Sequence, residues 1–266
     1  MDPRLLTAGC VRVESDGAVV VVTLDRPRAR NAQTPATWRA LAAIGAALDR
    51  KTRVVVLRGA GASFSAGLDR AQLGPGGLAG EPTFAELAGW PDDRLDQAIA
   101  QFQQAFTWWS RPDVITVAAV QGHAVGAGFQ LALACDLRVL ADDAQLSMRE
   151  TTLGLVPDLG GTGHLVRAVG YSRALEICAT GRAVGADEAL RLGLAHAVVA
   201  REALDGTVHD LVASLLVADP DAVRETTALL SGALDRTQQQ QLAAERAAQA
   251  RRLRALAGEA GPPSSR

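Results

Sequence analysis

Apolar residues follow two rhythms along this chain. Val11-Arg12-Val13-Glu14 alternates, and Ala18 to Leu24 is nearly all apolar. Asp16-Gly17 between them predicts a β-hairpin. Thr34-Pro35 reads as an N-cap followed by proline at the first helical position. From Ala36 to Arg50 the spacing becomes helical, with Trp38, Leu41, Ile44 and Leu48 on one side. Strand-like runs return near 53–58, 114–120 and 135–140. The alternation predicts an α/β fold with parallel strands joined by helical crossovers. No repeat recurs at a fixed period.

Two of the strand-like runs lead into glycine turns. After Arg53 to Arg58 comes Ser63-Phe64-Ser65-Ala66-Gly67-Leu68-Asp69. After Val114 to Val120 comes Gly122-His123-Ala124-Val125-Gly126-Ala127-Gly128-Phe129-Gln130, which opens an apolar helical run to Ala134. Such a turn presents unpaired backbone N–H groups, which can hold an anion or a developing negative charge. Glu150, twenty residues beyond Gln130, supplies a carboxylate. An oxyanion site with one acid/base group is a catalytic arrangement.

Residues 71–112 contrast with both flanks. Gly74-Pro75-Gly76-Gly77 cannot be a regular helix or strand. Six of the ten aromatic residues fall here: Phe84, Trp90, Phe102, Phe106, Trp108 and Trp109. Phe102, Phe106 and Trp109 have helical spacing and read as core; the alternative is a wall for an apolar group.

Composition narrows the classes. A chain of 266 residues, 48% hydrophobic and 21% charged, is ordinary for a globular enzyme. The net charge of −2 gives no reason to expect a nucleic-acid partner. Lys51 is the single lysine, which reads as compositional bias. Cys10, Cys135 and Cys178 are odd in number and lack CxxC spacing, so neither disulfides nor a zinc site are expected, and a reducing, cytoplasmic setting fits. No apolar run is long enough to span a bilayer, so no membrane partner is expected. His123, His164, His196 and His209 lack metal-ligand spacing, and no metal is expected. Ser63 and Ser65 lack a His/Asp signature for nucleophilic catalysis.

The two glycine turns, Leu24-Asp25-Arg26-Pro27-Arg28-Ala29-Arg30-Asn31-Ala32, the segment Leu153 to Thr162 (LGLVPDLGGT), and Leu192 to Val199 (LGLAHAVV) together resemble the crotonase family, the enoyl-CoA hydratase/isomerase group. The resemblance covers roughly residues 10 to 255. It implies a ββα spiral over residues 1–200, a helical trimerisation region over 201–257, and a homotrimer or homohexamer. Residues 258–266 (Gly261-Pro262-Pro263-Ser264-Ser265 among them) are expected to be a disordered tail. The substrate implied is an acyl-CoA thioester, with coenzyme A as part of the substrate and no permanently bound cofactor.

By the same resemblance, the oxyanion donors are the N–H groups of Leu68 and Ala127. Ala66, Leu68 and Arg70 match the adenine-pocket segment, and Arg28 lies where a basic residue meets the CoA phosphates. Asp69 closes the turn after Leu68. Phe84 and Trp90 border the acyl group. Hydratases of the family carry a glutamate just after the glycine turn and a second about twenty residues on; here these are Gln130 and Glu150. An amide can bind water but cannot take its proton. One carboxylate can still move a proton between two carbons, so double-bond isomerisation through Glu150 is the expected reaction. Hydration or a related lyase or hydrolase reaction using Glu150 with Gln130 or Asp158, and non-catalytic acyl-CoA binding, are the alternatives. Asp158, eight residues after Glu150, reads either as a second acid/base group or as the N-cap of a helix at Gly160-Gly161.

Overall fold

In the computed structural model, residues 2–259 are described. A short helix that the sequence pattern did not reveal, α1 (Pro3–Gly9), is capped by the Asp2 side chain. The hairpin follows as β1 (Val11–Asp16) and β2 (Val19–Leu24). Helix α2 (Pro35–Ala47) starts from Thr34, whose hydroxyl accepts the Thr37 N–H. It ends three residues before the expected Arg50, because Leu48 turns to extended backbone. Next come β3 (Val54–Gly59), α3 (Phe84–Ala88), α4 (Asp92–Thr107) and β4 (Ile115–Val120). Then β5 (His123–Val125) leads directly into α5 (Ala127–Ala134).

The strand expected near 135–140 is β6 (Leu137–Ala141). It begins late because Cys135 and Asp136 form the link, and the Asp136 carboxylate accepts the Thr116 N–H at 2.8 Å. The chain continues through β7 (Gln145–Ser147), α6 (Gly161–Val169), α7 (Tyr171–Thr180), β8 (Val184–Gly185), α8 (Ala186–Arg191) and β9 (Ala197–Val199). It closes with α9 (Leu204–Val217), α10 (Pro220–Ser231) and α11 (Gln238–Glu259). Gly258 and Glu259, expected in the tail, belong to α11; the rest of that tail lies outside the described residues.

The strands form two sheets. The larger runs β1-β2-β3-β4-β6-β9, parallel except for the hairpin. The smaller is β5-β7-β8. Single bridges, Gln33 to Leu68 and Ser65 to Ala124, are two further backbone pairings outside the named strands. After β3, β4 and β6 the chain leaves the large sheet, makes an extended segment, and returns through helices. That is the ββα spiral expected from the resemblance.

Both faces of the large sheet are buried, so its strands read as continuous valine runs rather than alternating ones. Val55, Leu57, Ala118, Val120 and Leu140 face the main core with α2 and α5. Val54, Val56, Val117, Ala119 and Val139 face the other way, onto Leu204, Val208 and Val212 of α9. Each of these α9 side chains contributes about 1.5–3 kcal/mol through burial. α10 and α11 pack on each other and are joined by the Arg251–Glu225 ion pair. Among the described residues no helix is long and apolar enough to cross a membrane.

Candidate active site

The segment Arg26 to Asn31 is a clamp for the first glycine turn. Asn31 donates to the carbonyls of Ala60 and Ser63 at 2.9 and 2.8 Å. Arg26 pairs with Asp69. The Asp69 carboxylate also accepts the Ala71 N–H at 2.9 Å. Burial would raise its pKa, but that backbone bond and Arg26 outweigh burial and hold it below the usual value. Asp69 therefore closes the turn.

Gly67 lets the two glycine turns meet. Its φ is +81°, and a Cβ there would lie 2.2 Å from the Val125 carbonyl oxygen and 3.4 Å from the Ala127 nitrogen. Leu68 follows immediately. Ala127 is the first residue of α5, where an N–H has no partner inside its helix. Neither the Leu68 nor the Ala127 N–H meets an acceptor among the described residues. Both residues line a cavity of about 610 Å³.

Glu150 opens the 3₁₀ turn Glu150–Leu153 and faces the same cavity. It sits against the second turn: a Cβ on Gly126 would be 3.1 Å from its Oε1. Gln130, on α5 and 1% exposed, donates from Nε2 to that Oε1 at 2.7 Å. The orientation of the Gln130 amide is determined by its other end. Its Oε1 accepts the N–H groups of Leu159 and Gly161, at 3.0 and 3.2 Å, so Nε2 must be the donor toward Glu150. Glu150 Oε2 is buried with no hydrogen-bond partner among the described residues. Burial pushes the Glu150 pKa up, the Gln130 hydrogen bond opposes this, and the charge of Asp158 adds to the rise.

Asp158 lies on the same cavity wall. Its side chain remains open to solvent, yet the concave surroundings desolvate it enough to raise its pKa. It does not cap α6; Gly160 occupies the N-cap, without a side-chain bond. Of its two sequence readings, the structure removes the capping one.

Ala66, Leu68 and Arg70 line the cavity. Arg28 does not line it; it is exposed on the 3₁₀ turn Pro27–Ala29. The lining also includes Trp38, Phe84, Leu87, Leu95, Ile99 and Phe102, an apolar set. Phe84 is therefore a wall residue as expected. Trp90 is not among the lining residues; its ring lies beneath the Arg94 guanidinium, 3.7 Å away. Phe106 and Trp109 are core, and Phe102 serves both core and wall. Trp38, read from the sequence as a core position only, also forms part of the wall.

Residues 14–257 match the enoyl-CoA hydratase/isomerase family. The chain belongs to that family. A Thermobifida fusca protein solved with CoA shares 46% identity over 97% of this chain and 98% of its own, with a TM-score of 0.92. The same organism's protein was also solved with acetoacetyl-CoA (47% identity, 95% and 98% covered, TM-score 0.91). A Rhizobium meliloti relative named a probable enoyl-CoA hydratase is 35% identical over 72% of this chain and 69% of its own length. Carnitinyl-CoA dehydratase of Escherichia coli is 33% identical over 78% and 75%. As a crotonase-family enzyme, this protein is a hydratase or an isomerase.

Proposed function

We propose that this crotonase-family enzyme shifts the double bond of an acyl-CoA thioester from the β,γ to the α,β position. Glu150, as carboxylate, takes a proton from the α carbon. The electron pair moves into the thioester, and the negative charge gathers on the carbonyl oxygen, where the N–H groups of Leu68 and Ala127 stabilise it. The same carboxyl then returns its proton to the γ carbon. The elevated pKa of Glu150 suits it to both halves of this exchange.

The observation that carries the reading is the orientation of the Gln130 amide. Its oxygen is occupied by two backbone N–H groups and its nitrogen points at Glu150, so it is neither a base nor an acceptor for a water proton. That leaves one carboxylate beside the donor turn. The second reading, hydration or a related lyase reaction, is favoured by Asp158, which shares the cavity and acts electrostatically on Glu150. It is also the activity named for several relatives.

In this reading Ala66, Leu68 and Arg70 meet the CoA portion, and the exposed Arg28, outside the cavity lining, is the basic residue for its phosphates. The wall from Trp38 to Phe102 takes the acyl tail. That wall carries no charged group, and the Trp38 indole N–H is turned inward to Gln33 at 2.8 Å. A hydrocarbon or aromatic tail suits this wall, on which a hydroxylated or cationic tail would lose hydration; the charged lining residues Arg149, Glu150 and Asp158 belong to the rest of the cavity. The exposed Leu230, Leu242, Leu253 and Leu256 of the C-terminal helices support a trimeric or hexameric assembly.

Assaying α,β-enoyl, β,γ-enoyl and dienoyl thioesters tests the choice of reaction. Double-bond migration in the β,γ substrate should exceed hydration of crotonyl-CoA. Rapid hydration without migration would refute it.

A further inference from the structure

We propose that Gln33 is a positioning residue for the Leu68 N–H donor, and that it couples this donor to the Trp38 wall of the acyl cavity. The inference rests on the assignment of Leu68 as an oxyanion donor. Gln33 precedes the α2 N-cap, is fully buried, and uses every polar group it has.

Its backbone brackets Leu68. The Gln33 N–H donates to the Gly67 carbonyl at 2.7 Å, and the Gln33 carbonyl accepts the Asp69 N–H at 2.8 Å. In such a parallel bridge the residue between the two bonded neighbours turns its own N–H to the opposite side. The pairing thus fixes the turn and directs the Leu68 N–H away from Gln33.

Its side chain makes the second connection. Oε1 accepts the Trp38 indole N–H at 2.8 Å, and Nε2 donates to Ser65 Oγ at 3.0 Å. Ser65 Oγ in turn donates to the Asn31 carbonyl at 2.8 Å and accepts the Gly67 N–H at 3.2 Å. Gln33 and Ser65 are both 0% exposed. A chain of buried hydrogen bonds therefore runs from the wall that would touch the acyl tail to the peptide just before the Leu68 donor. A residue needed only to fill space would be apolar, because a buried amide is costly unless each end is paired.

The test reads oxyanion stabilisation directly. Acetoacetyl-CoA can enolise, and a donor pair on its thioester oxygen enlarges the enolate absorbance of the bound ligand. Wild type should show that increase. In Gln33→Met the bound enolate fraction and kcat should fall about tenfold, short of the 10²–10³ typical of losing a donor outright, while the affinity for CoA itself stays the same. Adding Trp38→Phe removes the orphaned indole N–H; this double variant should regain thermal stability but not the enolate. Ser65→Ala keeps the Trp38–Gln33 bond and breaks the next one, so it should lose enolate as Gln33→Met does.

Full enolate and full kcat in folded Gln33→Met overturn the proposal, as does recovery of both in the double variant. If Gln33→Met does not fold, undiminished enolate in Ser65→Ala overturns it. If wild type itself shows no enolate increase, the donor pair is wrong and this inference falls with it; loss confined to the variants leaves the donor pair standing.

Discussion

Gln130 and Glu150 are joined by a hydrogen bond of 2.7 Å whose direction is set from behind, by the Leu159 and Gly161 N–H groups on the Gln130 oxygen. The amide orients the carboxylate and connects it to the start of α6. It also stabilises the charged form of Glu150, against a burial that favours the neutral one.

Glu150→Gln should lower turnover by about 10²–10⁴ and leave thioester affinity nearly unchanged. The stability effect has a definite sign. The Glu150 pKa is raised on folding, so the folded chain holds a proton that the unfolded chain has released. Its contribution favours folding at acid pH and is lost as pH rises through the raised pKa. Thermal melts from acid to neutral pH should therefore show a smaller loss of stability in Glu150→Gln than in wild type. An equal loss would mean that Glu150 titrates normally.

Gln130→Glu keeps the acceptor for Leu159 and Gly161 but presents a second carboxylate to Glu150. The pair should share a proton, and the acid limb of kcat/KM should move to higher pH. Hydration of crotonyl-CoA should appear or rise, since a base for water is now present. Unchanged hydration together with fast wild-type hydration would show that one carboxylate is enough here.

Asp158→Asn removes a negative charge that raises the Glu150 pKa. The acid limb of kcat/KM should move to lower pH, with kcat retained if Asp158 is only an electrostatic neighbour. A collapse of kcat by 10² or more, about what loss of an acid/base group costs, would make Asp158 a proton-transfer group and favour the hydratase reading.

Ala127→Pro should fold, because proline suits the first position of a helix and the preceding Gly126 tolerates the restriction that proline imposes. Turnover should fall by about 10²–10³ through loss of one N–H. Circular dichroism provides the folding control, and unchanged turnover in a folded variant would remove Ala127 from the site.

The order of strands and helices was readable from sequence because valine runs and glycine turns are local signals. The meeting of Leu68, Ala127 and Glu150 in one cavity is what the resemblance to the family implied. Features set by tertiary contacts were not readable. Gln33 looks like a loop residue before an N-cap, and only packing shows its amide bonded at both ends. Asp158 had a plausible capping position, but Gly160 takes that place. Trp90 and Phe84 share a composition signal, and only the path of the chain between α3 and α4 separates wall from non-wall. An amide at Gln130 reads as a non-base from its chemistry alone, but its doubly bonded oxygen depends on residues some thirty positions away.

The contact of α9 with the outer face of the large sheet has a practical meaning for anyone dividing this chain. Cutting it at Ala200 would strip Leu204, Val208 and Val212 from the strands and leave Val54, Val56, Val117 and Val139 as a bare oily wall. Such a fragment would keep every residue of the cavity and still clump or bind other chains through that wall. A shortened chain that keeps this wall covered must extend at least through Leu216.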